Sequence, residues 1–207
     1  DLLGMATALT YIDLQSQWRP PPVIVFLGDF IDRGPYSIDV ILMLFQALLD
    51  QRFRICILPG NHDLGLGFQE SEDGSEGHFT SDMNPCEILD ELELSTGSRE
   101  EVRLRREIAK TFIEAIAKAP RALLFWDGLV AAHGGVPHSD LTKNESPDEE
   151  MAGLDWLNRK QCLDDFVYTR LHERAKRRVS NRTTRICELG REDFETFCDV
   201  ASQKLKK

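Results

Sequence analysis

The sequence predicts an α/β domain, with helices and sheets in layers and at least one parallel pair of strands. Residues 23–27 form a short apolar run with β-branched members, which is typical of a buried parallel strand. A helical pattern opens at Pro35 and runs to about residue 49, and residues 53–58 alternate as a second strand. Strand, helix and strand in this order form a βαβ unit, whose crossover is almost always right-handed.

The remaining elements follow from apolar spacing and from turn residues. Helices are predicted where apolar residues recur at helical spacing, at residues 1–16, 87–94, 99–118 and 191–204. Asp127-Gly128 separates the apolar runs 122–126 and 129–132, which predicts a two-residue β-hairpin loop.

Three segments lack a regular pattern. Residues 65–84 are rich in Gly, Ser and acidic residues, and we expect a flexible loop or insertion there. Residues 134–151 are predicted as a second loop, and residues 166–187 as a basic irregular segment. At 207 residues, the chain is predicted to be a single domain, 1–207, that carries these segments.

Composition limits the classes of function. A net charge of −10 argues against nucleic-acid binding, and the longest apolar runs are too short for a membrane span. The five cysteines are odd in number, scattered and without Cys-x-x-Cys spacing, which favours reduced thiols in a cytoplasmic protein. The pattern gives no oligomeric state.

Three polar motifs each follow a predicted strand: Gly28-Asp29-Phe30-Ile31-Asp32-Arg33-Gly34, Gly60-Asn61-His62-Asp63 and His133-Gly134-Gly135. In open α/β sheets, ligands bind beyond the carboxyl ends of strands, so we group these motifs into one site. The carboxylate of Asp29 can bridge two cations, while Asn61 offers an amide oxygen and His133 an imidazole nitrogen. This donor set suits two divalent ions of Mn, Fe or Zn.

Other residues of the motifs suit the chemistry of phosphate esters. The guanidinium of Arg33 can hold phosphoryl oxygens, and His62 can protonate a leaving oxygen if a carboxylate orients its ring. Asp32 is our candidate for that carboxylate. We expect Arg33, Asn61 and Arg170 to contact the substrate, although a solvated surface is the preferred interpretation of the basic segment that contains Arg170.

The three motifs, in this order and without a mismatch, resemble those of the calcineurin-like metallophosphoesterases, in particular the branch of serine/threonine phosphoprotein phosphatases. The resemblance covers residues 1 to about 138. It implies a central β-sandwich flanked by helices and two metal ions bridged by Asp29, with Asn61 and His133 on the second metal. It also implies in-line attack of a metal-bound hydroxide on phosphorus, with His62, Asp32 and Arg33 as catalytic residues.

That family has a Gly-Asp-x-His motif before the first of these three motifs and a Gly-His or Ala-His motif after the third, and neither is found at those two places in the sequence. We therefore expect the chain to be the middle of a longer protein, truncated at both ends of the domain, with only part of each coordination shell. The full-length protein is predicted to be an enzyme, whereas activity of the segment itself is doubtful.

Two alternatives stay open. A dinucleoside polyphosphate hydrolase has similar motifs, including Arg-Gly-Pro and Gly-Asn-His-Asp, so the substrate is either a phosphorylated protein or a small phosphoester. A pseudo-phosphatase that only binds partners is the alternative from another class. The latter is disfavoured because every catalytic residue named above is intact within the three motifs.

Overall fold

A computed structural model describes residues 1–15, 22–50, 52, 54–72, 76–93, 97–138, 154–180 and 187–205. The chain divides into two compact units, Asp1–Ala119 and Pro120–Lys207, while the single domain expected from the sequence stays a prediction. Each unit has its own group of buried apolar side chains. None of the described helices is long and apolar enough to cross a membrane.

The predicted βαβ unit is confirmed in the first unit. Strand β1 (Val23–Phe26) pairs in parallel with β2 (Arg54–Ile57), and helix α2 (Ser37–Leu49) connects them. The ladder continues past the strands, because the N–H of Leu58 donates to the carbonyl of Phe26 at 2.9 Å. The motifs that follow the two strands therefore leave the same end of the pair.

Among the described residues of the first unit, the helices of seven residues or more are α1 (Leu2–Gln15), α2, α4 (Glu87–Glu93) and α5 (Arg99–Lys118). Helix α5 begins with a reciprocal cap, in which the hydroxyl of Ser98 accepts from the N–H of Glu101 and the Glu101 carboxylate accepts from the N–H of Ser98. The helices contribute apolar faces to one core, whose fully buried members include Ile41, Leu44, Ile88, Phe112 and Ile116.

The prediction of an irregular loop over residues 65–84 is wrong. Strands β3 (Leu66–Gln69) and β4 (His78–Ser81) form an antiparallel hairpin directly after the short helix α3 (Asn61–Gly65). The rings of the cross-strand pair Phe68 and Phe79 lie 5.0 Å apart, which stabilises the pairing. Abundant Gly, Ser and acidic residues obscured the alternation of apolar side chains in these two short strands.

The second unit opens with the predicted hairpin, β5 (Ala122–Leu124) and β6 (Val130–Ala132). Its loop has three residues, because the N–H of Phe125 bonds to the carbonyl of Leu129 at 2.8 Å. Gly128 closes the loop with φ of +94°, a conformation that glycine adopts without strain. The two-residue loop predicted from Asp127-Gly128 is therefore one residue too short.

The basic segment 166–187 is more regular than predicted. It begins within helix α6 (Lys160–Tyr168), which follows a 3₁₀ turn at Asp155–Asn158, and it contributes strands β7 (Arg170–Leu171) and β8 (Val179–Ser180). Both strands flank β9 (Cys187–Leu189) in one sheet. Helix α7 (Arg191–Leu205) confirms the last predicted helix, whereas the acidic part of the predicted loop 134–151 lies outside the described residues.

Candidate active site

A histidine held by a buried carboxylate is the centre of the site in the first unit. His62 Nδ1 lies 2.8 Å from Asp32 Oδ2, and the Asp32 side chain is fully buried while that of His62 is 13% exposed. His62 Nε2 lies 3.3 Å from Nη2 of Arg33. A proton on Nδ1 donates to the carboxylate, so Nε2 is the nitrogen that accepts from Arg33 and faces the more exposed side.

Asp29 lies beside this group. Its Oδ1 accepts from the backbone N–H of His62 at 3.3 Å, and its Oδ2 lies 3.8 Å from Nη2 of Arg33. The two motif loops approach so closely that a Cβ on Gly28 would meet the backbone of Gly60, and a Cβ on Gly60 would meet the Asp29 side chain. Both glycines are therefore required for the carboxylate to reach the first turn of α3.

The buried side chain of Asp63 joins the same two loops. It is 1% exposed, and its carboxylate accepts from the backbone N–H groups of Asp29, Phe30 and Gly60 at 2.8, 2.9 and 2.7 Å. Burial raises the pKa of Asp63 to about 6, against the lowering effect of these three hydrogen bonds. Asp63 thus fixes the backbone of both motifs, a positioning role that sequence reasoning missed.

Three non-glycine residues of the first motif have left-handed backbone conformations: Asp29, Asp32 and Arg33, with φ of 57°, 66° and 58°. Such conformations cost about 1–3 kcal/mol each and persist where surrounding contacts impose them. A side-chain oxygen accepts from the N–H of each, namely Asp63 for Asp29, Ser37 at 3.2 Å for Asp32 and Glu87 at 3.1 Å for Arg33. Three separate helices therefore hold the loop.

Helix α4 is tied to this loop by further carboxylates. Asp32 Oδ1 accepts from the N–H of Ile88 at 3.2 Å, while Oδ2 orients His62. Glu91 of α4 accepts from the N–H groups of Ser37 and Ile38 at 2.6 and 3.1 Å, and so caps the N-terminus of α2. Tyr36, the residue before α2, makes no side-chain hydrogen bond that could serve as this cap. Both oxygens of the catalytic carboxylate candidate are thereby fixed.

The second unit contains the other two predicted site residues. His133 follows β6, and its Nε2 lies 3.4 Å from Nη2 of Arg170. Nη1 of Arg170 donates to the carbonyls of Val167 and Thr169 at 2.7 and 2.8 Å, which fixes the guanidinium beside the histidine. The structure therefore brings together Asp29, Asp32, Arg33 and His62 near the start of α3 in one unit, and His133 with Arg170 in the other.

The glycines of the third motif also have a steric reason. A Cβ on Gly134 would meet the carbonyls of Val167 and Thr169, and one on Gly135 would meet the Thr169 side chain. The N–H of Gly134 donates to the carbonyl of Phe166 at 2.8 Å. The loop after β6 therefore packs directly on the end of α6, next to Arg170.

The donor chemistry of the predicted ligands fits divalent metals. Asp29 provides a carboxylate near the first turn of α3, Asn61 is the first residue of that helix, and His133 provides an imidazole. The Asn61 amide nitrogen points to Met83 Sδ at 3.8 Å, so it is used within the protein. Among the described residues, no three His, Cys, Asp or Glu side chains form a metal-binding group by themselves.

Comparison with known proteins gives the family. The sequence model of the calcineurin-like phosphoesterases matches residues 5–199, which is most of the chain. The chain belongs to the calcineurin-like phosphoesterase family. Its α/β fold with mixed helices and sheets is therefore the fold of that family, and members of this family use divalent metal ions.

Curated relatives fall into two groups. The chain is 28% identical over 183 residues to the bis(5'-nucleosyl)-tetraphosphatase PrpE of Bacillus velezensis, with 79% of this chain and 68% of that protein covered. It is 29% identical to the PrpE of Bacillus subtilis, with 58% and 46% covered. It is 33% identical over 78 residues to the serine/threonine-protein phosphatase 6 catalytic subunit of Caenorhabditis elegans, with 35% and 24% covered. The chain thus spans about two-thirds of one of these proteins and less than half of the others.

Proposed function

We propose that the full-length protein is a metal-dependent phosphatase that hydrolyses phosphoserine or phosphothreonine in proteins. The observation that carries this proposal is the buried Asp32–His62 pair next to Arg33 and Asp29, at the carboxyl ends of two parallel strands. Similarity to a serine/threonine phosphatase catalytic subunit supports the choice of a phosphomonoester. The net charge of −10 gives no support for nucleic acid as a substrate.

Each residue has a role that its contacts support. Arg33, 74% exposed, can turn its guanidinium from His62 and Asp29 to the phosphoryl oxygens of an incoming substrate. That movement uncovers His62 Nε2, which can then carry a proton to the leaving oxygen while Asp32 holds Nδ1. Arg170, fixed by two carbonyls, is the candidate for a second guanidinium on the substrate.

Asp29, Asn61 and His133 would hold two divalent ions, of Mn, Fe or Zn. These ions would supply Lewis acidity and charge neutralisation at the phosphoryl group. The carboxylate of Asp29 needs its present position between the two motif loops, which Gly60 permits and Asp63 maintains. A cytoplasmic location, suggested by cysteines without disulfides among the described residues, is part of the same proposal.

Hydrolysis of a dinucleoside polyphosphate is the second candidate. It is favoured by the match to PrpE of Bacillus velezensis, which extends over more of the chain than the phosphatase 6 match does. Both substrates place a phosphoryl group on the same catalytic residues. They differ in what flanks that group, which is an extended peptide in one case and a nucleoside in the other.

The first test is hydrolysis of para-nitrophenyl phosphate by the full-length protein, with and without Mn, beside an Asp29→Asn variant. We expect metal-dependent turnover in the wild type and loss of about 100-fold or more in the variant. Turnover of a phosphopeptide is then compared with that of diadenosine tetraphosphate. Faster hydrolysis of the tetraphosphate would select the second candidate, and absence of any turnover would favour a binding module.

A further inference from the structure

A row of cations on one face of α5 lies beside the β3–β4 hairpin, apart from the catalytic residues. Arg99, Arg103, Arg106 and Lys110 are spaced by three or four residues, so their side chains lie on one face of the helix. With Glu76, Gly77 and Glu107 they line a groove of about 510 Å³. The groove has four cations against two carboxylates, in a chain whose net charge is −10.

The two inner cations are engaged with the hairpin. Lys110 Nζ lies 4.3 Å from the centre of the Phe68 ring, and the Arg106 guanidinium lies 5.1 Å from that of Phe79. Nη2 of Arg106 donates to the carbonyl of Gly77 at 2.5 Å. These contacts explain why α5 packs along the hairpin. They also hold the cationic side chains of Arg106 and Lys110 in place along the groove.

The two outer cations, Arg99 and Arg103, have no such structural use. Both are exposed, and neither forms an ion pair or side-chain hydrogen bond with any residue in the described ranges. Arg99 is the first residue of α5, where the helix macrodipole disfavours a cation by about 0.3–1 kcal/mol. The N-terminus of α5 is capped internally by Ser98 and Glu101, so the helix itself does not need an external anion.

We propose that this groove is a docking site for a second phosphorylated residue of a phosphoprotein substrate. The inference rests on the proposed function, since it extends the substrate along the protein surface. A phosphoryl group is close to a dianion at neutral pH and accepts paired hydrogen bonds from guanidinium forks. Arg99 and Arg103, one helical turn apart, present two such forks on one face, and Arg106 adds positive charge behind them.

The hairpin connects the catalytic residues to the groove along the chain. Strand β3 begins directly after α3, the helix that contains His62, and the centre of its Phe68 ring lies 4.3 Å from Nζ of Lys110 in the groove. We expect a peptide with one phosphate at the catalytic residues to extend along this hairpin towards α5, and the number of residues between the two phosphates is the variable that the test scans.

The groove can be tested without catalysis. A fluorescent peptide with one phosphoserine is titrated into the full chain in the presence of a chelator, on an Arg33→Ala background that weakens binding at the catalytic residues. We expect the phosphopeptide to bind about tenfold more tightly than its unphosphorylated form, and Arg99→Gln/Arg103→Gln to abolish that difference. The control variant, Lys160→Gln/Arg191→Gln, removes the same amount of charge from the first residues of α6 and α7. We expect this control to keep the tenfold difference in affinity between the phosphorylated and unphosphorylated peptides.

Equal binding of the two peptides, or an unchanged difference in the Arg99→Gln/Arg103→Gln variant, would overturn the docking site. Competition identifies the source of the phosphate. Free inorganic phosphate should displace the peptide only weakly, because it lacks the peptide backbone. Displacement by diadenosine tetraphosphate at concentrations well below those of the unlabelled phosphopeptide would assign the groove to a polyphosphate and refute a peptide occupant.

Hydrolysis separates failure of this inference from failure of the proposed function. With metal, peptides that carry a second phosphoserine at increasing separations from the first should include one whose KM is about tenfold below that of the singly phosphorylated peptide, and Arg99→Gln/Arg103→Gln should remove this advantage. Equal KM values in the wild type would refute the docking role while leaving the phosphatase intact. Binding in the groove without hydrolysis of any phosphopeptide would refute the proposed function alone.

Discussion

Replacement of Asp63 tests whether one buried carboxylate holds the two catalytic loops together. In Asp63→Ala, the backbone N–H groups of Asp29, Phe30 and Gly60 lose their acceptor in a buried place. In Asp63→Asn, one oxygen can still accept from Asp29 and Gly60, while the amide nitrogen faces the N–H of Phe30. The two variants therefore remove three and one of the three hydrogen bonds.

The magnitude follows from these contacts. An unsatisfied buried N–H costs about 1–3 kcal/mol, so three cost about 6 kcal/mol at the middle of that range. Burial raises the pKa of Asp63 to about 6, so the buried charge is itself unfavourable and its removal offsets part of this cost. We expect Asp63→Ala to lower the free energy of unfolding by about 3–6 kcal/mol, and Asp63→Asn, which removes the same charge but only one hydrogen bond, to change it much less.

Urea unfolding followed by circular dichroism measures the stability of both variants, and amide hydrogen exchange measures the loops directly. We expect faster exchange at Asp29, Phe30 and Gly60 in Asp63→Ala, with Asp63→Asn in between. Asp199→Ala, which removes an exposed carboxylate from α7, is the control and should change neither quantity. Wild-type stability together with wild-type exchange at the three amides in Asp63→Ala would refute the positioning role.

Three further predictions concern other contacts of the fold. Gly60→Ala places a methyl group against the Asp29 carboxylate. We expect this variant to lose metal-dependent phosphatase activity, measured by turnover, and to lower the free energy of unfolding by about 1–3 kcal/mol, measured by urea unfolding. Glu91→Ala removes the cap of α2 and should cost about 1–2 kcal/mol in urea unfolding, whereas Glu91→Gln should cost less because it keeps one acceptor oxygen. Burial raises the pKa of Asp165 above its ordinary 3.8. The contribution of Asp165 to the free energy of unfolding is therefore greatest at low pH, where the group is protonated, and it is lost as the pH rises through the raised pKa. Asp165→Asn keeps an acceptor for the N–H of His138, and its stability relative to wild type should increase from about pH 4 to about pH 7 in urea titrations; a constant difference would contradict this.

The part of the site that could be predicted is the part set by strand ends. A β-branched run before Gly28 and a second strand before Gly60 placed two motifs at one end of a parallel pair, and the structure has that pair. The pairing of Asp32 with His62 could be proposed because a histidine that transfers protons needs an orienting group, and the two lie in contact. The chemistry of the side chains and the order of strands and helices were together sufficient to predict that these residues lie in one site.

Other features depend on contacts between residues far apart in the sequence. The Gly- and Ser-rich segment 65–84 forms a hairpin whose rings, Phe79 and Phe68, are covered by Arg106 and Lys110, 27 and 42 residues further along the chain. Local composition carries no signal of such distant contacts. Asp63 was visible as part of a motif, but its role depends on burial and on three N–H groups from two loops. Propensity and periodicity cannot report such contacts.

The catalytic loop is held by acceptors that lie outside it. Its left-handed residues would together cost several kcal/mol if unsupported, yet their N–H groups bond to Asp63 of α3, Ser37 of α2 and Glu87 of α4. The positions of the Asp29 carboxylate and the Arg33 guanidinium therefore depend on how three helices pack. It follows that substitution of these acceptor residues should lower activity even though the acceptors do not contact the substrate. The packing of the helices in the first unit therefore determines the positions of the catalytic side chains.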